Sequence, residues 1–250
     1  MIIIVDLDHT LIREDWTVSE RTVKVFEKCK KNGHVVVVNS ARSYLRSKPI
    51  ADKIGADYVN CFYGNAVVDK NGKVLASRAL KKDDLRLVVE EFQKIKKGWI
   101  GVEAIDGAYG TNEGVCKMFD GKFSTFDEAI SKDALKLAVE FVDTPENREA
   151  AKKIADKFNL DVKFGREGFF CSLLPKNTDK WNGLKYILEK VGKNKKTIAF
   201  GDEISDLQTF KNVDIAVAMA NSTPELLAHV DITTLSNEED GVADYLEKFL

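Results

Sequence analysis

The sequence predicts an α/β fold in which a doubly wound, mostly parallel sheet is interrupted by an inserted α+β domain. Three observations carry this. Short, uninterrupted apolar runs stand near both ends of the chain, helix signals separate them, and the middle alternates apolar with polar residues. The uninterrupted runs are Ile2–Val5, Val35–Val38, Ile198–Phe200 and Ile215–Val217. A strand buried on both faces of a parallel sheet requires such a run.

Between the first two runs, Ser19 can cap a helix whose stripe is Val23, Phe26 and Cys29, and Gly33 ends it. A second helix runs from about Thr178 with Trp181, Leu184, Leu188 and Val191 on one face, and stops at Gly192 before the next run. This is the βαβ alternation of an open sheet. In the middle, Leu135, Leu137, Val139 and Phe141 alternate with Lys136, Ala138, Glu140 and Val142, and Val162 and Phe164 with Asp161 and Lys163. Period two predicts a sheet covered on one face only. Two helices can cover it, one bearing Leu85, Val88, Val89, Phe92 and Ile95, the other starting at Thr144-Pro145 and bearing Ala151, Ile154, Ala155 and Phe158. The core is therefore placed at residues 1–79 and 177–250, and the insertion at 80–176.

The 38 basic and 40 acidic side chains nearly cancel, leaving a net charge of −2, so neither a nucleic-acid nor a membrane partner is indicated. Lys28, Lys30 and Lys31, and likewise Lys94, Lys96 and Lys97, precede a glycine and read as cations at helix C-termini. Cys29, Cys61, Cys116 and Cys171 are too scattered for a zinc site or redox pair and read as buried thiols of a reducing compartment. With no signal-peptide pattern and no long apolar stretch, the expected location is the cytoplasm. A monomer or weak homodimer is expected.

Polar groups cluster where the apolar runs stop. The first leads into Asp6-Leu7-Asp8-His9-Thr10, the second into Asn39-Ser40-Ala41-Arg42, and Ile198–Phe200 into Gly201-Asp202-Glu203-Ile204-Ser205-Asp206. Open α/β sheets bind ligands at the carboxyl ends of their strands. If the first strand continued extended, Asp6 and Asp8 would share a face and crowd one another, raising one pKa. Asp6 and Asp202 are hard oxygen donors that suit Mg²⁺. A lone Asp-x-Asp could equally be a cap or turn, but the second acid pair, Asp202 and Asp206, at another strand end argues for a site.

Asp6-x-Asp8-x-Thr10-Leu11, Ser40, Lys180 and Gly201-Asp202-x-x-Ser205-Asp206 together resemble, in order and context, the four motifs of the haloacid dehalogenase-like (HAD) hydrolases. Ala218-Met219-Ala220-Asn221-Ser222 and Asn237-Glu238-Glu239-Asp240-Gly241-Val242 resemble stretches of the Cof-type subgroup, whose large inserted cap is of type IIB. The resemblance implies a Rossmann-like core with a cap that acts as lid and specificity element. It implies a Mg²⁺-dependent phosphatase acting on a small phosphorylated metabolite, a sugar phosphate above all. Asp6 would be the nucleophile, and Asp8 would act as acid and then base. Asp6, the Asp8 carbonyl and Asp202 would hold the metal. Ser40, the Ala41 amide, Lys180 and Ser205 would bind phosphate, with Thr10 and Asp206 supporting them.

Three positions depart from the family pattern. His9 replaces a frequent Gly and is expected to face away from substrate, Ser205 replaces a usual Asn, and Gly64-Asn65-Ala66 inverts a frequent Asn-Gly-Ala order. Arg42 and Trp16 are possible substrate contacts, and Tyr109, Asn112, Glu113, Arg166 and Glu167 are candidate specificity groups in cap loops. A phosphomutase or phosphotransferase on the same scaffold, or a non-catalytic module binding a phosphorylated ligand, are the competing readings.

Overall fold

A computed structural model describes residues 1–165, 168–192 and 195–250, without the side chains of Val115 and Met118. The chain divides into two compact units, Met1–Ala76 with Asp179–Leu250, and Ser77–Thr178. It begins with β1 (Ile2–Val5), α1 (Glu20–Lys31), β2 (Val35–Asn39), α2 (Tyr44–Lys53), β3 (Tyr58–Cys61), β4 (Ala66–Asp69) and β5 (Val74–Ser77). The second unit carries α3 (Lys82–Ile95), β6 (Ile100–Ala104), β7 (Gly107–Gly110), α4 (Glu113–Met118), β8 (Lys122–Phe123), α5 (Phe126–Ile130), β9 (Lys136–Glu140), α6 (Pro145–Lys157), β10 (Leu160–Phe164) and β11 (Phe170–Pro175). The chain returns through α7 (Lys180–Val191), β12 (Thr197–Gly201), α8 (Leu207–Phe210), β13 (Ile215–Ala218), α9 (Pro224–Leu227) and α10 (Gly241–Leu246).

The first unit is built on a seven-stranded sheet of order β13-β12-β1-β2-β3-β4-β5. The four uninterrupted apolar runs form β1, β2, β12 and β13, and these pair in parallel. β3 continues the parallel run beside β2, and β4 turns antiparallel to it. β1 lies between β2 and β12, where the strand order reverses, so the carboxyl ends of those three strands form one crevice. β3, β4 and β5 are not resolved by the apolar pattern. Asn60 breaks the run in β3, and every residue of β5 is exposed or half-buried.

α1 is capped by Ser19, whose side chain accepts the Thr22 N–H, and its last turn carries Lys28, Lys30 and Lys31. Its buried stripe is Thr22, Val25, Phe26 and Cys29, the i, i+3, i+4, i+7 set, while Val23 is only half-buried. α7 obeys the same spacing through Lys180, Gly183, Leu184 and Ile187. Trp181, Leu188 and Val191, expected on the buried stripe, are partly buried. Hydrophobicity alone misplaces this stripe because a lysine and a glycine occupy two of its positions.

The second unit has a six-stranded sheet of order β10-β11-β9-β6-β7-β8. Val102, Leu137, Val139 and Leu173 pack with Leu85, Val88, Val89 and Phe92 of α3 and Ala151 and Ala155 of α6. The opposite face is less open than period two suggests. Phe119, Ala108 and Ala138 form a second apolar cluster with Trp99 and Phe170. Beside it Lys136 and Glu103, paired across β9 and β6, are buried with their charged atoms 2.6 Å apart. Pairing is what makes such burial tolerable. No helix among the described residues is long and apolar enough to cross a membrane.

The N-terminus of α7 is seated on backbone. Gly64, at φ +92°, has no room for a side chain, since a Cβ there would lie 2.0 Å from the Asp179 carbonyl oxygen. A Cβ on Gly183 would lie 1.9 Å from Asn60 Oδ1 and 2.8 Å from the Gly64 carbonyl oxygen. Helix propensity alone makes Gly183→Ala stabilising by about 1 kcal/mol. The contacts reverse that sign, because overpacking against backbone costs about 1–3 kcal/mol. Gly183→Ala is expected to lower the thermal midpoint, and a midpoint at or above wild type would contradict this packing.

Candidate active site

Asp6 follows β1 and is buried, with the Leu7 N–H donating to its Oδ1 at 2.7 Å. The chain then turns on one acceptor, the Leu7 carbonyl, which receives the N–H groups of Thr10, Leu11 and Ile12 at 3.4, 3.0 and 2.9 Å. His9 takes φ 54° in this turn. That is the left-handed region where glycine is least strained, which accounts for the glycine of the family pattern. The His9 side chain is exposed. Thr10, fully buried, donates from Oγ1 to Asp202 Oδ1 at 3.1 Å and joins the end of β1 to the end of β12.

Asp206 folds back onto β12. Its Oδ2 accepts the N–H groups of Asp202 and Glu203 at 3.2 and 3.3 Å. Gly201 permits this approach, since a Cβ there would lie 2.5 Å from Asp206 Cγ. Lys180, in the first turn of α7, completes the cluster. Its ammonium donates to Asp6 Oδ2 at 2.8 Å and to Asp206 Oδ1 at 2.9 Å, and its carbonyl accepts Asn60 Nδ2 at 2.7 Å.

Burial, together with the charges of Asp206 and Asp202, pushes the Asp6 carboxyl well above the usual range against the pull of Lys180. Burial opposes the charge on Lys180, but Asp206 and Asp6 outweigh it and hold its pKa well above normal. Three buried carboxylates beside one buried ammonium leave an excess of negative charge. Carboxylate oxygens of Asp6, Asp202 and Asp206 lie within 4.8 Å of one another, so the donor set fits a hard divalent cation. Both oxygens of Asp206 and both of Asp6 accept hydrogen bonds from the protein, and Asp202 Oδ1 accepts one from Thr10.

Asp8 does not crowd Asp6. β1 ends at Val5, so Asp8 lies in the turn at 7–12 and not on a continuing strand. It forms a two-pronged ion pair with Arg42, Nε–Oδ2 at 2.9 Å and Nη2–Oδ1 at 2.5 Å. Burial works to raise the Asp8 pKa, but Arg42 outweighs it and holds the carboxyl below its ordinary value. The carboxylates that crowd Asp6 are Asp202 and Asp206 instead.

Ser40 is fully buried at the end of β2, and its Oγ accepts the Arg42 N–H at 3.2 Å. Ala41 is half-buried between them. The Arg42 guanidinium stacks 5.3 Å from the ring of Trp16, which is 67% exposed and at φ 65°. Ser205 donates to Glu203 Oε1 at 2.8 Å, within its own turn.

Asn39 and Asn60 support the site without having been singled out from sequence. Asn60 Nδ2 also donates to Asn39 Oδ1 at 2.6 Å, and Asn39 Nδ2 to Thr209 Oγ1 at 3.2 Å. The signal was there to read, since an amide inside a short apolar run needs a buried partner. In the second unit, Tyr109 donates to Asp106 at 3.0 Å and its ring lies 4.3 Å from the Lys132 ammonium. Asn112 accepts the Gly114 N–H, and Glu113 opens α4 with its side chain exposed. Arg166 and Glu167 lie outside the described residues.

A sequence profile described as haloacid dehalogenase-like hydrolase matches residues 3–246. The putative phosphatase YkrA of Bacillus subtilis is 26% identical over 250 residues, covering 97% of this chain and 95% of that protein. The phosphoglycolate phosphatase of Staphylothermus marinus is 27% identical over 260 residues, covering 98% and 95%. Among solved structures, the HAD subclass IIB sugar phosphatase BT4131 superposes with a TM-score of 0.80 at 18% identity, over 99% of this chain and 98% of that one. With a profile matching almost its whole length and a core-plus-insertion architecture to go with it, the chain belongs to the haloacid dehalogenase-like hydrolases, in their Cof-type branch.

Proposed function

We propose that this hydrolase is a Mg²⁺-dependent phosphatase that cleaves a small phosphorylated metabolite, a sugar phosphate above all, through an aspartyl-phosphate on Asp6. The observation that carries the reading is the seat of Asp6. Its carboxylate is buried at the end of β1 and oriented by the Leu7 N–H and the Lys180 ammonium, beside Asp202 and Asp206. A side chain so constrained is arranged for attack along one line. The phosphatase relatives support the same reaction class.

A carboxylate oxygen of Asp6 forms a bond to phosphorus as the ester P–O bond breaks, and Asp8 gives its proton to the departing oxygen. In the second half, water attacks phosphorus, its proton passes to Asp8, and Asp6 leaves as the carboxylate. As it stands Asp8 is ionised against Arg42, the form that accepts the proton from water. Donating in the first half requires that pairing to loosen. Lys180, Ser40 Oγ and the Ala41 N–H would take phosphoryl oxygens. Asp6, Asp202 and the Asp8 carbonyl would hold Mg²⁺, which neutralises charge on the phosphoryl group when bound. The unit 77–178 would serve as the lid and specificity element.

Asp6→Asn is expected to reduce hydrolysis of p-nitrophenyl phosphate by at least about 10³-fold, as loss of a nucleophile does, while the thermal melt stays cooperative. Near wild-type turnover in that variant would remove Asp6 from the mechanism.

The excess negative charge predicts that Mg²⁺ raises the thermal midpoint in chelator-treated protein and restores activity, because a ligand of the folded state alone stabilises it. Ca²⁺ should stabilise without restoring turnover, since its larger, irregular shell misplaces the reacting oxygens. Full activity in chelator would contradict the metal assignment.

Hydrolysis and phosphoryl transfer are separated by running turnover in heavy-oxygen water. One solvent oxygen is expected in each phosphate released. Movement of the phosphoryl group to a sugar hydroxyl without free phosphate would make the enzyme a mutase.

A further inference from the structure

The turn that follows Asp8 is held from outside by a segment more than two hundred residues away. Asn221 Nδ2 donates to the His9 carbonyl at 2.8 Å, and Asn237 Nδ2 donates to the Ile12 carbonyl at 2.9 Å. The two amides are joined, because the Asn237 N–H donates to Asn221 Oδ1 at 3.0 Å. Around this pair, Arg13 forms an ion pair with Asp240 at 2.8 Å, and the Glu14 N–H donates to Glu238 Oε1 at 2.7 Å. Residues 9–14 are thus fastened at four points by 221 and 237–240. The turn that contains Asp8 is closed by the N–H groups of Thr10, Leu11 and Ile12, which converge on the Leu7 carbonyl.

The turn 235–241 is built to present Asn237. Gly241 packs so closely that a Cβ would lie 2.0 Å from the Leu235 carbonyl oxygen, and the Gly241 N–H donates to the Ser236 carbonyl at 2.9 Å. Thr234 Oγ1 donates to the Gly241 carbonyl at 2.8 Å. Asn237 is buried, so its bond to Ile12 is made away from competing water. Asn221 uses both ends of its amide, donating to the His9 carbonyl with Nδ2 and accepting the Asn237 N–H with Oδ1, while Asn237 donates with its side chain and its backbone.

We propose that Asn221 and Asn237 form an asparagine clasp that positions Asp8 for proton transfer, so that the C-terminal segment sets the efficiency of general acid catalysis without touching substrate. The proposal rests on the phosphatase reading, in which Asp8 protonates the leaving oxygen. A positioning role has a signature that loss of stability lacks. A poor leaving group needs the proton and a good one does not, so a displaced acid slows esters selectively. Asn237→Ala removes the donor to Ile12 without substituting Asp6, Asp8, Lys180 or Asp202.

The experiment measures kcat and KM of the Mg²⁺-loaded full chain on phenyl, p-nitrophenyl and 2,4-dinitrophenyl phosphate, in order of rising leaving-group acidity. For Asn237→Ala, kcat on phenyl phosphate is expected to fall about tenfold or more, within the range that general acid catalysis contributes, and on the dinitrophenyl ester by no more than about twofold, with KM little changed. Asn221→Ala, whose side chain is exposed, should steepen the same dependence less, and it carries the test if Asn237→Ala does not fold. Equal losses on all three esters, or none, would overturn the clasp while leaving the phosphatase reading intact. Failure of the wild-type protein to hydrolyse any of the esters would overturn that reading and the clasp together.

Discussion

The constraint on which the site depends is the burial of one ammonium. Lys180 is almost wholly shielded from solvent and is held by Asp6 and Asp206. A buried lysine without carboxylates would lose its proton, and buried carboxylates without a cation would gain one. Each group therefore depends on the others for its charge. Removing one partner from such a cluster costs about 3–5 kcal/mol, because the remaining charge is left uncompensated. Charge is not balanced even with Lys180 present, which is why the cluster suits a divalent cation.

The surrounding backbone explains how a lysine comes to face inward. Asn60 anchors the Lys180 carbonyl, and Gly64 and Gly183 let β3 and α7 approach to where no side chain fits. The Gly-Asn-Ala order at residues 64–66, which departs from the family pattern, is explained by this packing. The first residue must be the glycine, because its backbone lies at φ +92° against the Asp179 carbonyl. The same logic holds at Gly201, where absence of a side chain lets Asp206 receive two N–H groups. Small residues here serve close approach of polar groups, and the energetic return is collected by the acids and the lysine.

The two carboxylates separated by one residue are shifted in opposite directions because they differ in surroundings. Asp6 points into the acid cluster and is shifted up by burial and by Asp206 and Asp202, whereas Asp8 is turned to Arg42 and shifted down despite its burial. Arg42 is itself stacked on Trp16, so the second strand end, the loop after the first strand and Asp8 form one connected set. The four fastenings from residues 221 and 237–240 extend that set to the C-terminal segment.

The sequence by itself determined the class of fold, since uninterrupted runs at Ile2–Val5, Val35–Val38, Ile198–Phe200 and Ile215–Val217, separated by helix signals, are the pattern of a parallel sheet covered on both faces. It also singled out Asp6, Lys180, Asp202 and Asp206, which stand at strand and helix ends and which the structure brings into one cluster. It could not determine pairing. Whether Asp8 meets Asp6 or Arg42 depends on where β1 stops and how the next turn closes on the Leu7 carbonyl. Hydrophobic periodicity misplaces the stripe of α7 because Lys180 and Gly183 are buried for electrostatic and steric reasons that it does not encode. Asn60, Asn221 and Asn237 acquire their partners only when residues far apart in sequence are brought together. Local pattern records which face of an element is apolar; the partner of a buried polar group is a property of the assembled backbone, and only the tertiary structure decides it.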